Sequence, residues 1–382
     1  MNLKGQLQCF LKRCLMRILA INWRDINNPL SGGAEIHLHE ILKYIVNNGN
    51  KVTQISTLFK GAEKEEIIDG IRIIRCGGEL YFNFAVPKLV IDEMRRNDYD
   101  IVIDDINKVP FYSPLYVNKP ILAVIPHIFG KTIYNQADPL SATYVYFSEL
   151  PIRKIYKNAY FEVISKSTED DVVKRGIPRN RIKTIECGVD HNLYKLPKNR
   201  KKPNKKTIVY VGRIKKYKSV DHIVKAMPYI LERMDVKLMI VGSGDYINTL
   251  KSLARNLDIQ DKVFFTGYVS QERKVELLQK AYLSIYPSLI EGWGLVNIEA
   301  NACGTPVVAS NVPGLRDSVN IGRSGLLYEY GNLKDLANKV IYLLKDRERY
   351  NGFVKSSIEW ASTFRWKNTG KETLNYIKSI IK

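Results

Sequence analysis

The chain reads as an α/β protein made of two doubly wound parallel-sheet domains. Three observations predict this. From Arg17 to the C-terminus, short apolar runs alternate with amphipathic helical patterns, the rhythm of βαβ units and a parallel sheet. The stretch 198–206 is rich in lysine, proline and asparagine, has no periodicity, and splits that alternation in two. Glycine-bearing polar loops follow several of the apolar runs, at strand carboxyl ends, where open α/β sheets take ligands. With 382 residues, each half is long enough to bury its own core.

Taken in order, residues 1–15 read as an N-terminal extension. Leu3, Leu7, Phe10, Leu11, Cys14 and Leu15 can line one helical face beside Lys4, Lys12 and Arg13, the pattern of an interfacial helix; the alternative is that translation starts at Met16. The first domain then spans 16–197. Strands are predicted at 17–22, 52–57, 71–76, 100–104, 121–127, 161–165 and 182–187, with helices near 33–48, 83–97, 140–158 and 166–175. Gly32 and Gly33 stand between the first strand and the helix with Ile36, Ile41, Leu42 and Ile45 on its buried side. Such a loop can cradle an anion on free helix N–H groups, or simply make a turn. His127 closes the strand that starts at Ile121, where it serves either as a packed structural residue or as a group facing a ligand. Asp104 and Asp105 have no metal-ligand partners nearby and read as a solvated strand end or a helix cap.

After the linker 198–206, a second domain is predicted over 207–363, followed by a terminal helix in 364–382. Its first strand, Thr207 to Gly212, ends at Arg213, with Lys218 before the next helix. Two cations on a loop at a strand's carboxyl end can clamp a diphosphate; a solvated lysine run is the other reading. Strands at 237–242 and 263–267 follow, and Ser270 is placed to cap a helix. The block from Leu283 to Ser310 then reads as strand, loop, helix and strand. Gly292 and Gly294 let the backbone approach a bound group, and Leu295 opens the helix. Glu291 and Glu299 bracket this loop. By spacing alone they read as a cap and a solvated side chain; the strand–loop–helix–strand context is what makes them a candidate pair facing one ligand.

The stretch Ser288–Ser310 closely resembles the donor-sugar motif of the family-4 retaining glycosyltransferases, which have the two-domain GT-B fold, and the resemblance extends over nearly the whole chain from Met16. It implies two Rossmann-like domains facing a central cleft, with the terminal helix crossing back onto the first. It implies a donor site made of Gly33, Gly292, Trp293, Gly294, Leu295 and Glu299, in which Glu291 faces the hydroxyls of the transferred sugar and Glu299 the ribose. His127 would face the reacting sugar, Arg213 and Lys218 would hold the diphosphate, and the Gly32–Gly33 loop would contact diphosphate or acceptor. The segment Thr266–Ser270 would lie near the base. The family often has phenylalanine where this chain has Trp293, proline where it has Val296, and glycine where it has Ser219; Pro126 precedes His127 where a polar residue is common. The implied reaction is front-face transfer from a UDP- or GDP-sugar to a glycan or lipid-linked acceptor hydroxyl, with the donor phosphate helping to deprotonate that hydroxyl. No metal and no cofactor beyond the nucleotide-sugar cosubstrate are expected.

Composition adds constraints. The chain carries 59 basic and 39 acidic residues, a net charge of +20, which implies an anionic partner. Basic clusters lie at Arg95–Arg96, at Arg153–Lys154 with Lys157, and at Lys174–Arg175 with Arg179 and Arg181; Tyr112, Tyr144 and Tyr156 are expected as exposed aromatics among them. With no apolar run long enough to span a bilayer, this points to peripheral association with an anionic membrane on the cytoplasmic side. No nucleic-acid-binding motif accompanies the charge, so a nucleic-acid-binding protein is set aside, and intact Glu291, Glu299, Arg213 and Lys218 argue against a catalytically silent sugar-nucleotide-binding relative. The five cysteines are scattered without zinc-ligand spacing and read as reduced thiols.

Overall fold

The structure, a computed structural model, describes residues 15–79, 81–199 and 202–381. The extension before Leu15, with Cys9 and Cys14, lies outside the described residues, as do residues 200 and 201 of the linker. Two compact units are present: residues up to Glu186 with the stretch from Trp366 onward, and Cys187–Arg365. The run 187–197, expected with the first domain, therefore falls with the second, and the linker lies inside that second unit rather than at its edge.

In the first unit, β1 (Arg17–Ile21) leads into α1 (Gly33–Asn47), followed by β2 (Lys51–Thr57), β3 (Glu65–Ile68) and β4 (Ile71–Cys76). Then come α2 (Phe82–Arg96), β5 (Ile101–Asp105), β6 (Ile121–Ile125), α3 (Pro139–Glu149), α4 (Ile152–Ile155), β7 (Tyr160–Val163), α5 (Lys166–Lys174) and β8 (Ile182–Thr184). The sheet order is β3-β4-β2-β1-β5-β6-β7-β8, parallel except that β3 pairs antiparallel with β4. That hairpin turns on Asp69 and Gly70, both with positive φ. An Asp-Gly dipeptide between two short strands is a strong two-residue hairpin signal, and it stands in the sequence although β3 was not among the predicted strands. The helix expected over 140–158 is interrupted at Pro151, which lacks the N–H an unbroken helix needs. Ile36 is 39% exposed, and the buried stripe of α1 is Leu38, Ile41, Leu42 and Ile45.

The second unit runs β9 (Lys206–Val211), α6 (Val220–Leu231), β10 (Val236–Val241), α7 (Ile247–Asn256), β11 (Val263–Gly267), α8 (Gln271–Lys280) and β12 (Leu283–Tyr286). It continues with α9 (Leu295–Ala302), β13 (Val307–Ser310), β14 (Gly325–Tyr328), α10 (Leu333–Lys345) and α11 (Arg347–Ser362). Its sheet is wholly parallel in the order β11-β10-β9-β12-β13-β14. Buried apolar runs such as Ile208–Val211 and Val307–Ala309 explain why: both faces of these strands are covered. The last helix, α12 (Trp366–Ile381), packs on α1 of the first unit, with Leu374 and Ile377 in the core cluster that holds Leu38, Ile41 and Leu42.

The carboxyl ends of the first sheet bury acids that the sequence reading left in solvent. Asp104 and Asp105 are 0% and 1% exposed. Asp104 accepts hydrogen bonds from the Tyr156 and Ser113 hydroxyls, both at 2.6 Å. Among the described residues neither Asp105 oxygen has a hydrogen-bond partner, and burial, with the Glu35 carboxylate next, raises its pKa well above the usual carboxylate range. Tyr156 is fully buried and Tyr112 gives its hydroxyl to the Ser148 carbonyl at 2.7 Å, so neither is the exposed aromatic expected; Tyr144 alone of the three is, at 51%.

Glu162 on β7 gives a pH prediction. It is wholly buried, accepts from the Thr373 hydroxyl of α12 at 2.9 Å, and burial pushes its pKa up from 4.5 to about 8. Through that interval the folded chain holds a proton the unfolded chain has released, so stability falls as pH rises from the lower value to the upper and is level beyond it. Buried His37, lowered to about 4 by desolvation, has the opposite sign but acts only below its ordinary 6.5. Melting temperatures measured above about pH 7 therefore read the buried acids. Glu162→Gln is expected to flatten the decline between about pH 7 and 8.5 and to raise stability at the upper end. An unchanged slope would contradict a protonated Glu162.

Candidate active site

The second unit brings together Lys218, Glu291, Glu299 and the α9 N-terminus around one set of loops at the carboxyl ends of β9 and β12. Arg213 follows β9 and is exposed; its carbonyl accepts the buried Tyr210 hydroxyl at 2.8 Å, while among the described residues its guanidinium has no ion-pair partner. A single 3₁₀ turn, Lys216–Lys218, then carries Lys218 against Glu291, with which it forms an ion pair. Both side chains are largely covered, at 16% and 20% exposure. Burial opposes the charge on Lys218, but the Glu291 carboxylate and then Tyr217 together outweigh it and raise the ammonium above its ordinary value. A backbone bond from Leu289 N–H to the Tyr217 carbonyl, 3.0 Å, clamps the two loops together.

Ser219, next in sequence, has φ +51. This left-handed conformation is one that glycine adopts at little cost and other residues rarely take. The serine is held in it by a bond of 2.9 Å between its hydroxyl and Tyr330.

The Glu291 loop is fixed from several sides. Ser310 at the end of β13 donates to the Ser288 carbonyl at 2.5 Å. Buried Asn297 donates to the Ser318 hydroxyl at 2.8 Å and secures the first turn of α9. Gly314 has φ +80, and a Cβ added there would lie 2.0 Å from the Glu291 carbonyl oxygen. Gly294, at φ +85, is the N-cap of α9, and no side chain caps this helix. By contrast α5, α8, α10 and α11 are capped by Ser165, Ser270, Asn332 and Asp346. The Asn297 N–H turns back to the Gly294 carbonyl at 2.9 Å, while those of Leu295 and Val296 have no capping side chain and are left available to an anion.

Trp293 is turned inward: it is 2% exposed and its ring packs edge-on against Phe364 at 5.5 Å. Its indole belongs to the core, and any donor contact from this position, like those from Gly292 and Gly294, falls to the backbone.

Glu299 lies on α9 with its carboxylate 2.7 Å from the Lys274 ammonium of α8. The same ammonium sits 5.2 Å from the centre of the Tyr194 ring, whose hydroxyl accepts from Gln271. Burial and then the neighbouring Glu299 carboxylate push the Tyr194 hydroxyl far up, so it stays neutral. Lys274 and Tyr194 were missed from the sequence. A lysine inside a helix and a tyrosine in an irregular stretch give no local signal; only packing of α8 against α9 brings them to Glu299.

The first unit holds the remaining candidates. Gly32 caps α1, but its N–H already donates to Glu35 Oε2 at 2.8 Å, and buried Asn107 donates to Asn22 at 2.9 Å beside Glu35. The Gly32 amide is thus satisfied by the helix's own third residue, while Gly33 is exposed. The preceding loop is held by the buried Asp25–Arg75 ion pair, 2.7 Å, and by Arg24, which donates to the Leu30 carbonyl at 2.8 Å. His127 follows β6, half-buried, with its ring 4.3 Å from Phe129. The Thr168 hydroxyl donates to the Pro126 carbonyl at 3.1 Å and fixes the turn before it.

Among the described residues no three His, Cys, Asp or Glu side chains are grouped to hold a metal ion, and no helix is long and apolar enough to cross a membrane.

Comparison with known proteins bears on these loops. The family model described as Glycosyl transferases group 1 matches residues 195–360, and that described as Glycosyltransferase Family 4 matches residues 31–193. An uncharacterized glycosyltransferase of Methanocaldococcus jannaschii is 27% identical over 95% of this chain and 98% of its own length. A D-inositol 3-phosphate glycosyltransferase of Catenulispora acidiphila is 34% identical over 54% of this chain and 52% of its own. A GDP-mannose-dependent phosphatidylinositol monomannoside mannosyltransferase of Mycobacterium tuberculosis is 31% identical over 45% and 47%. The chain thus spans about half the length of these last two relatives. Among solved structures, sucrose-phosphate synthase of Thermosynechococcus elongatus superposes with TM-score 0.81 at 21% identity, covering 96% of this chain and 99% of that one. HepE of Anabaena in complex with UDP and glucose superposes with TM-score 0.76 at 18% identity, covering 95% and 100%.

Proposed function

Since the chain belongs to the group 1, family-4 glycosyltransferases of the GT-B fold, we propose that it moves a sugar, with retention, from a UDP- or GDP-sugar to a hydroxyl of a lipid-linked or polysaccharide-precursor glycan. The observation that carries this reading is the arrangement in the second unit: a largely covered Lys218–Glu291 pair, the uncapped N-terminus of α9 beyond the Glu291 loop, and Glu299 on that same helix. As the bond from the anomeric carbon to the diphosphate breaks, negative charge grows on the phosphate oxygens. Arg213, Lys218 and the α9 amides supply fixed positive potential for that charge, and no metal is needed in this scheme. Glu291, held by Lys218, accepts from hydroxyls of the transferred sugar. Glu299 accepts from the ribose hydroxyls, with the Lys274 ion pair holding its carboxylate in place. The acceptor hydroxyl is deprotonated on the donor's own face with help from the departing phosphate.

The UDP and glucose bound by the Anabaena protein, and the GDP-mannose and phosphatidylinositol monomannoside in the name of the Mycobacterium relative, support the donor and acceptor classes. The net charge of +20 supports work at an anionic, cytoplasmic membrane surface. A thermal-shift panel of UDP-, GDP- and ADP-sugars tests the donor. At 100 times its dissociation constant the right donor stabilises by about 2.7 kcal/mol, and silence across the panel would count against the reading.

The two glutamates are expected to separate by assay. Glu299→Ala weakens nucleoside-diphosphate binding, measured by calorimetry, because the ribose loses its acceptor and Lys274 its partner. Glu291→Ala leaves that affinity nearly intact and lowers turnover. Equal loss of nucleotide affinity in both variants would refute this division.

A further inference from the structure

Helix α3 is built inside out. Its inward residues are Ala142, Ser148 and Glu149, while Leu140, Tyr144 and Phe147 face solvent at 82%, 51% and 60% exposure. These three stand at i, i+4 and i+7, one stripe of a helix. The stripe continues beyond the helix in Leu150, 52% exposed, and is widened by Phe84, 77% exposed, whose neighbour Asn83 reaches the Tyr144 hydroxyl at 3.4 Å. A surface helix ordinarily buries its large apolar side chains, and a contiguous patch of exposed ones marks a docking site.

The end of this stripe is basic. A cavity of about 190 Å³ lies there, lined by Leu150, Arg153 and Arg175 over Ile125 and Ile177. It is smaller than the roughly 300 Å³ at which pockets for drug-sized ligands begin, so it suits a headgroup and not a chain. Both guanidiniums lie against backbone at glycines: a Cβ at Gly176 would come 2.8 Å from Arg153 Nε, and one at Gly130 would come 2.9 Å from Arg175 Nη2. Arg175 also pairs with Asp171 at 3.4 Å, whereas among the described residues Arg153 has no ion-pair partner. Glu149 lines the cavity too, but its two oxygens already accept the Phe129 and Gly130 N–H groups, each at 2.7 Å. Lys154 and Lys157 are exposed nearby in sequence. The other basic clusters are more neutralised: Arg179 pairs with Glu169 and Asp170, and Arg95 lies 3.8 Å from Asp92.

We propose that the outer face of α3 is a membrane-docking surface that lies in the headgroup layer of an anionic bilayer, with a lipid phosphate seated between Arg153 and Arg175. Tyrosine and phenylalanine favour that interface, leucine enters the acyl boundary, and arginine binds the phosphate bidentately. The proposal deepens the reading of a lipid-linked acceptor, since it fixes which face of the first unit meets the membrane.

Flotation of the full chain with phosphatidylcholine vesicles, with and without phosphatidylglycerol, tests it. The parent is expected to float only with the anionic lipid and to lose this at high salt. Tyr144→Glu with Phe147→Glu, and separately Arg153→Glu, are each expected to cut vesicle binding at least tenfold with the melting temperature retained, as these side chains are exposed. A dye on Phe147→Cys should shift its emission to the blue on anionic vesicles. Unchanged flotation of the double variant, equal binding to neutral vesicles, or no binding by the parent at low salt overturns the proposal. Calorimetry of UDP and GDP on the same proteins keeps the readings apart: loss of vesicle binding with nucleotide binding intact supports the docking face, and a parent that floats without binding either nucleotide defeats the donor reading alone.

Discussion

Arg213→Ala and Lys218→Ala are each expected to lower turnover by roughly two to three orders of magnitude, the scale of removing one preorganised charge stabiliser. The two losses differ in origin. Arg213 is exposed, so its variant should keep the fold and lose only the charge opposite the leaving diphosphate. Lys218 is largely covered and paired with Glu291, so its removal also strands a half-buried carboxylate where the donor's own negative charge must sit. Adding Glu291→Ala to Lys218→Ala should therefore recover nucleotide affinity without recovering turnover. Steady-state kinetics with the donor found by the thermal-shift panel, with and without chelator, decides the matter. Activity that needs added Mg²⁺ or Mn²⁺ and survives both single changes would overturn the metal-free scheme.

Gly314→Ala is expected to have the second large effect, although this residue contacts no charged group of the site. A left-handed φ of +80 already costs a non-glycine residue about 1–3 kcal/mol. The added Cβ would also lie 2.0 Å from the Glu291 carbonyl oxygen and 2.8 Å from the Gly292 carbonyl carbon. Backbone atoms cannot step aside as a side chain tip can, so the Glu291–Gly294 loop must move. The variant should melt at a lower temperature and bind nucleoside diphosphate at least tenfold more weakly. Normal affinity with only a lowered melting temperature would show that the loop tolerates the shift.

By itself the sequence determined the alternation of strands and helices and which strand ends carry the glycine-bearing polar loops. The buried runs Ile208–Val211 and Val307–Ala309 have no solvent face, so they admit only covered parallel strands. It also placed Arg213, Lys218 and Glu291 on loops after strands and Glu299 inside the helix that follows, because glycines and polar residues that interrupt apolar runs mark those ends locally. It contained the Asp69–Gly70 hairpin as well.

Burial and partnership were decided only by the tertiary structure. Asp104 and Asp105 look like a solvated pair in one dimension, yet neighbouring strands and Tyr156 enclose them. Trp293 stands in a ligand loop by position but packs on Phe364, some seventy residues later. Lys274 meets Glu299 through the packing of two helices, and the apolar residues Leu140, Tyr144 and Phe147 of α3 are seen to be exposed only in the folded unit. Local chemistry sets where a chain turns; whether a charged or apolar group is covered depends on contacts between residues far apart in sequence, which no local pattern encodes.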